Sequence, residues 1–479
     1  MKGEKPVIRI ISALTLIVAL ITFPTLSGCA TPEKTPSITP TPPPEVSPPP
    51  TPEPAPEPEP TAISEEFEQT LACHFGFMPA TWDFQAARGA GGAYDRPFFE
   101  LFQWGMIEKE PGLFDFSQTD EHVRGAQAEG FHILANIQPF AHWDQAKCHQ
   151  DLPSAEGGGN LGPHLTKGKP CDMEQYANFV TKLVERYDGD GINDMPGLTM
   201  PIKHWEVMNE PEFNEGPLVF FQGSPEDYFE ILKATYETVK ETDPEALVVQ
   251  GGMAGMMEVC TSFWQDVFDR GGADYFDIAN MHSIGHGEHL NIPSFKEFLA
   301  QNGIDKPIWV TEVQYQQARE TEEYSNEDFA RILARSYIFA LANGVDKLFY
   351  VNIKLPPFSE GVPFDERSAL IKDNSDKSTL FYAHHTVANM LGELGRGDEV
   401  ETLKEKVGDW HIEEGQYKFT IGGKAVYALW GTGPLPPEIN GEVNVTEISG
   451  ASRVTDSATL KLSDSPVFVE LTTGTIEGD

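Results

Sequence analysis

Two short runs put a glutamate where a strand should end. In "HWEVMNEPEF" an apolar stretch with Trp205, Val207 and Met208 finishes on Asn209, Glu210 and Pro211, and in "PIWVTEVQY" a second finishes on Glu312. A carboxylate at the end of a buried strand, with proline stopping the backbone ladder behind it, is costly to place unless something uses it. Two such carboxylates facing each other suit hydrolysis of a glycosidic bond. One keeps its proton and donates it to the leaving oxygen; the other, ionised, attacks the anomeric carbon or activates water, and their spacing decides which. Either glutamate alone reads as an ordinary loop carboxylate, whereas the two together favour catalysis.

The runs between and around them alternate short β-rich stretches with longer amphipathic ones. "CHFGFM" at 73, "FFELFQ" at 98, "FHILANIQ" at 131, "IKHWEVM" at 202, "ALVVQG" at 246, "YFDIANM" at 275, "PIWVTEV" at 307 and "DKLFYVN" at 346 make eight strand candidates. Helices with legible ends separate them: one from Ser117 to Gly130, one capped by Ser224 with Pro225 and Asp227 behind it, and one from Ser325 to Gly344. Others fit at 172–187, 260–271, 291–302 and 378–395. The first crossover, 79–97, reads poorly as a helix because of Gly89, Gly91 and Gly92. Eight apolar strands alternating with helices predict an α/β fold, a closed (β/α)8 TIM barrel, in which catalytic residues sit at the C-terminal ends of the strands. Glu210 ends the fourth and Glu312 the seventh, so the two converge across the mouth. Beyond about residue 396, "YKFTIGGKAVYALW", "GEVNVTEIS" and "ATLKLSDSPVFVEL" predict a small all-β sandwich.

"WEVMNEP" after strand four, "WVTE" in strand seven and "WGMIEKEPGLFDFSQTDEHVRGAQAEGFHIL" in the second unit together resemble the clan A glycoside hydrolases, nearest in texture to families 5 and 39. The resemblance covers roughly residues 70 to 395. It implies a retaining enzyme, with Glu210 as acid/base, Glu312 as nucleophile and Asn209 hydrogen-bonding the sugar 2-hydroxyl. His282 matches a histidine of that clan. The chain departs from the pattern in three places. No arginine is evident at the end of strand two in "FFELFQW", the His-x-Tyr after strand six is His282-Ser283-Ile284, and strand eight, "LFYVNIK", lacks a tryptophan platform. Two readings follow: an exported retaining glycoside hydrolase that cleaves a poly- or oligosaccharide, or a surface protein with the same barrel that binds carbohydrate without cleaving it.

Other residues stand near the predicted mouth. Trp82, Trp104 and Trp143 fall in or near the loops after strands one to three, where aromatic faces can stack on sugars or simply pack. His142 can bind hydroxyls or make an ordinary hydrogen bond, and Asn352 and Lys354 end strand eight. Glu206 lies inside the fourth strand and needs a cationic partner there. No Cys/His spacing suggests a metal, and the chemistry calls for no cofactor.

Composition bounds the partners. Asp and Glu number 74 against 34 Lys and Arg, a formal charge of −40, which repels nucleic acid and anionic lipid and leaves a neutral ligand as the better expectation; with the two carboxylates, the expected partner is a neutral or weakly charged carbohydrate. The N-terminus is an address: a basic start, the apolar "IISALTLIVALITF", then "LSGC". That ending resembles a bacterial lipobox and implies cleavage before Cys29 and acylation of its thiol, against the alternatives of an ordinary signal peptide or an uncleaved anchor. The organisation expected is a signal peptide over 1–28, a Pro/Thr/Glu-rich tether over 29–63, the barrel over 64–395 and the β-domain over 396–479. The membrane is then reached only through the lipid anchor, and the folded part lies outside the cytoplasm. In that compartment Cys148 and Cys171, which bracket a Gly-rich loop, are expected to pair; Cys73 and Cys260 read equally as free thiols or a pair.

Overall fold

The computed structural model describes residues 74–155, 166–214, 219–285, 287–315, 324–354, 366–372, 375–395 and 398–472. The signal segment, Cys29, the tether and Cys73 lie outside the described residues. Among the described residues no helix is long and apolar enough to cross a membrane.

Eight parallel strands build the sheet: β1 (Phe75–Met78), β2 (Tyr94–Asp95), β3 (His132–Ile137), β4 (His204–Val207), β5 (Leu247–Val249), β6 (Ala279–Ile284), β7 (Ile308–Gln314) and β8 (Val345–Val351). Their order is β5-β4-β3-β2-β1-β8-β7-β6, and the bridges Val249 to Ile278 and Met253 to Met281 join the two ends into a barrel. Helices α1 (Phe84–Gly89), α2 (Ser117–Ala128), α3 (Met173–Glu185), α4 (Pro225–Thr242), α5 (Glu258–Asp269), α6 (Ile292–Gln301), α7 (Asn326–Ala342) and α8 (Thr379–Leu391) follow the strands in turn. The caps expected for α4 and α7 are present: Ser224 and Ser325 accept from the backbone of Asp227 and Asp328, whose carboxylates accept from the cap backbones in return.

Strand two corrects the sequence reading. It is only two residues long and is followed by Arg96-Pro97, whereas "FFELFQ" forms a turn. Glycine explains why the chain strands so early: a Cβ on Gly92 would lie 2.5 Å from the Phe77 ring, so the approach to Tyr94 hugs β1. The first crossover does hold a helix, the six-residue α1, capped by Asp83. Strand six starts four residues later than its apolar run.

Inside the barrel the floor is apolar and aromatic, with Tyr94, Leu134, Val249, Ile278, Trp309 and Phe349 in one cluster. Above it lies a buried polar layer containing Asn136, Glu206 and Asn280, which supports the mouth.

After α8 come β9 (Glu399–Val407), β10 (Ile412–Ile421), β11 (Lys424–Trp430), β12 (Glu442–Glu447), β13 (Ser452–Asp456) and β14 (Val467–Leu471), all antiparallel, in the order β9-β10-β11-β14-β12-β13. The fold is therefore a TIM barrel followed by a small all-β domain. Ile412, Tyr417, Phe419, Ala428 and Trp430 join the barrel's own core, while Tyr427, Leu429, Val443, Val445 and Val469 form a second, smaller one. Buried Glu288 ties the units, accepting from the Ile412 backbone at 2.6 Å and pairing with Arg335 at 3.3 Å. The two strands the sequence reading missed, β9 and β13, are the sheet's edges and mostly exposed, and β9 is highly charged, as suits an edge that must not recruit another chain.

Candidate active site

Glu210 and Glu312 meet at the mouth, both 2% exposed. A carboxylate oxygen of each, and a ring nitrogen of His282, all lie within 4.8 Å of one another. Two backbone devices bring them there. At the end of β4, Met208 and Glu210 have φ of +65° and +39°, left-handed conformations that cost a non-glycine residue on the order of 1–3 kcal/mol each. They break the alternation of the strand, so Asn209 and Glu210 both serve the interior. In β7 the pairing of Val310 with Met281 is followed by that of Glu312 with His282, one extra residue on β7; the pairing with β8 shifts at the same place. This bulge lets Thr311 and Glu312 both face the barrel.

Arg96 lies beneath the pair, fully buried. Its Nε donates to Glu206 at 2.6 Å, Nη2 to Glu206 at 3.1 Å and to Asn209 Oδ1 at 2.8 Å, and Nη1 to Glu312 at 2.9 Å and to Met78 Sδ at 2.8 Å. All five guanidinium protons are used. This is the arginine that the misplaced second strand concealed, and it is the cation Glu206 required. Asn136 and Asn280 supply Glu206 with further bonds at 2.9 and 2.8 Å. Phe99 and Met78 cover the guanidinium with apolar surface.

The electrostatics separate the two carboxyls. Burial, and then the charge of Glu312, hold Glu210 well above the usual carboxylate range. Burial pushes Glu312 up to about 7, with Arg96 pulling it back down. Burial and the neighbouring Arg96 hold His282 well below its ordinary value, so it is a neutral imidazole. Its Nδ1 lies 2.7 Å from Glu210 Oε1 and its Nε2 3.0 Å from Thr311 Oγ1. Gly252 permits this placement, since a Cβ there would fall 1.9 Å from Nε2. The site thus offers a protonated carboxyl and, above pH 7, an ionised one, both buried.

Of the sequence candidates, Glu210, Glu312, Asn209 and His282 converge. Asn352, at φ +70°, is buried with both amide atoms unpartnered. Asn209 Nδ2, Glu210 Oε2 and Gln314 Nε2 are also buried without partners, polar atoms ready for a hydroxylated ligand. The aromatic candidates require correction. Trp104 is fully buried, donates to Glu108 at 2.6 Å and stacks on Phe179 of α3; Trp143 packs edge-on to Trp104 and donates to the Glu108 carbonyl. Trp104 fills the layer between barrel and helix, where large apolar area is best placed, and Trp143 is half-buried beside it under Lys147. His142 is exposed at the start of the helix His142–Cys148, Trp82 packs against Phe98, and Lys354 pairs with Asp83. Cys148 and Cys171 form the expected disulfide, and Cys260 is a buried free thiol. Arg96, Asn280, Thr311 and Gln314 were missed. Arg-Pro just after "AYD", and the two-residue spacing of Asn280 from His282, were the signals available.

Three groups of side chains, among the described residues, bring metal-type donors together. In one the sulfurs of Cys148 and Cys171 are bonded to each other. In the site itself Arg96 already supplies the positive charge. The third, Asp188, Asp190 and Asp194, is an acidic loop in which burial, helped by the neighbouring aspartates, pushes Asp188 up to about 7.

No family model and no curated protein matches the chain. Solved structures do. It is similar to a family 39 glycoside hydrolase from Bacteroides cellulosilyticus WH2, with TM-score 0.59 and 18% identity over 84% of this chain and 82% of that one. A glucosidase from Croceicoccus marinus gives 0.54 and 14% over 85% and 96%, and the catalytic domain of GH30 xylanase C from Talaromyces cellulolyticus 0.51 and 13% over 84% and 97%. The chain shares their fold.

Proposed function

We propose that this protein is a retaining glycoside hydrolase that cleaves an O-glycosidic bond of a poly- or oligosaccharide by double displacement. The observation that carries the reading is the Glu210/Glu312 pair, with carboxylate oxygens within 4.8 Å, one held by neutral His282 and the other by Arg96. A carboxyl separation of about 5 to 5.5 Å goes with retention, whereas inversion needs about 6.5 to 9.5 Å to admit a water.

In the first step a Glu312 oxygen forms a bond to the anomeric carbon as that carbon's bond to the leaving oxygen breaks, and Glu210 gives its proton to that oxygen. In the second a water oxygen attacks the same carbon, its proton passes to Glu210 and the Glu312 ester breaks. In this reading Asn209 Nδ2 donates to a sugar hydroxyl beside the reacting carbon, which the bond from Arg96 to its Oδ1 supports. With Arg96 present, one of the three departures from the clan pattern is gone. That favours turnover over carbohydrate binding alone. The lipobox at Leu26 to Cys29 and the proline-rich tether support export and a lipid anchor.

The test is hydrolysis of a panel of aryl glycosides and polysaccharides by the soluble form starting at Ala62, beside Glu210→Gln and Glu312→Gln, with the anomer of the first product read by NMR. Retained configuration and loss of activity in both variants is expected. Sugar binding that survives both changes, with no turnover by the parent, would establish the binding protein instead.

A further inference from the structure

The hydrogen bonds around His282 can be assigned one donor at a time. Asn280 Nδ2 lies 2.8 Å from Glu206 Oε1 and 3.1 Å from the Gln250 carbonyl oxygen. Both are acceptors, so the amide's two protons point there and its Oδ1 faces Thr311. The Thr311 hydroxyl is 2.9 Å from that Oδ1 and 3.4 Å from Glu206 Oε1. Its single proton goes to one of these acceptors, and its oxygen is left to accept. The group 3.0 Å from that oxygen is His282 Nε2, which therefore carries a proton. In a neutral imidazole Nδ1 is then bare. The 2.7 Å contact from Nδ1 to Glu210 Oε1 is made by a proton on the carboxyl.

We propose that Thr311 and Asn280 are positioning residues that fix which nitrogen of His282 is protonated and thereby keep a proton on Glu210. The inference rests on the reading of Glu210 as the acid. With the opposite tautomer, Nδ1–H would donate to Glu210 and stabilise its carboxylate, emptying the acid before a substrate arrives.

The charged and titratable groups facing the pair favour the neutral arrangement. Arg96 from the end of β2 opposes an imidazolium but also favours a carboxylate at Glu210; burial, Glu312 from β7, Glu212 from the loop after β4, with the Cys260 thiol behind it, and Glu206 oppose that carboxylate and outweigh Arg96, while Glu312 Oε1 lies 3.6 Å from Nδ1. Delivery to a leaving oxygen requires the carboxyl to turn about its last side-chain torsion. The turn breaks the bond from the carboxyl proton to Nδ1, while Oε2, which has no partner, adds no further bond to break.

Thr311→Val removes the hydroxyl at nearly constant volume, and Thr311→Ser restores it. Two readouts separate the tautomer from the function. Two-bond 15N–1H spectra of histidine-labelled protein, with the His282 signals assigned by their loss in His282→Asn, should show Nε2–H in the parent and in Thr311→Ser, and Nδ1–H in Thr311→Val. The alkaline limb of kcat/KM should move down by about one pH unit in Thr311→Val and return in Thr311→Ser. An Nδ1–H tautomer in the parent overturns the proposal whether or not the variants fold, as does an unmoved limb in folded Thr311→Val. The Nε2–H tautomer in a parent without turnover would instead overturn the hydrolase reading and support the tautomer assignment.

Discussion

Arg96 Nη1 lies 2.9 Å from Glu312 Oε1, while the rest of the same guanidinium grips Glu206 and Asn209. One planar cation thus neutralises a structural carboxylate and steadies the proposed nucleophile. Arg96→Lys offers three protons where five are used and cannot span these partners. The acid limb of kcat/KM is expected to shift to higher pH, because an ammonium held by Glu206 leaves Glu312 without its hydrogen bond. Arg96→Met, which leaves Glu206 buried without its ion-pair partner, should cost about 3–5 kcal/mol in denaturant unfolding.

The pH profile should be a bell displaced to the alkaline side. Activity rises as Glu312 ionises, with burial setting that limb near 7, and falls as Glu210 loses its proton at higher pH. Both folded-state values lie above the unfolded ones, so the stability the protonated carboxyls confer is full at acid pH and is lost as pH rises through the folded values. Glu210→Gln, which cannot ionise, is therefore expected to melt near the parent at pH 4 and above it at pH 9. Calorimetry across that range checks the sign.

Leaving-group chemistry distinguishes the two glutamates. A phenolate with electron-withdrawing substituents departs without protonation, so Glu210→Gln should retain far more activity on such aryl glycosides than on a disaccharide. On the disaccharide the loss is expected at about 10²- to 10⁴-fold. Glu312→Gln should fail on both. A Glu210→Gln variant equally impaired on both substrates would remove the acid assignment.

Glu212 is buried two residues beyond Glu210, where it accepts from the Ala254 backbone at 2.6 Å and the Trp264 indole at 3.2 Å. It fastens the loop after β4 to the start of the next unit. Glu212→Ala orphans both donors at about 1–3 kcal/mol each, and equilibrium unfolding should show that loss.

The disulfide closes a loop whose ends are 23 residues apart. By the chain-entropy relation its removal in Cys148→Ser/Cys171→Ser should lower stability by about 3 kcal/mol, read as a lower denaturation midpoint with kcat nearly unchanged.

How much was legible divides by the range of the forces involved. The capping boxes of α4 and α7, the barrel's eightfold alternation and the two strand-end glutamates are written in neighbouring residues, because propensity, capping and alternation act over one or two turns of chain. Strand two was misread because Phe98, Phe99 and Phe102 advertise a strand by composition, whereas pairing with β1 and β3 picks out Tyr94 and Asp95. Trp104 looked like a sugar platform because sequence marks a loop but not the side of the barrel it faces.

The sequence by itself determined the barrel, its β-rich companion and the two carboxylates, since each follows from local pattern. Only the tertiary structure decided that Arg96 joins Glu206 to Glu312, 110 and 216 residues away in the chain, and that a bulge in β7 turns Thr311 and Glu312 inward together. Buried charge is tolerated only where partners meet it, and in a closed barrel those partners come from strands far apart in sequence, so the chemistry of the site is a property of the closure.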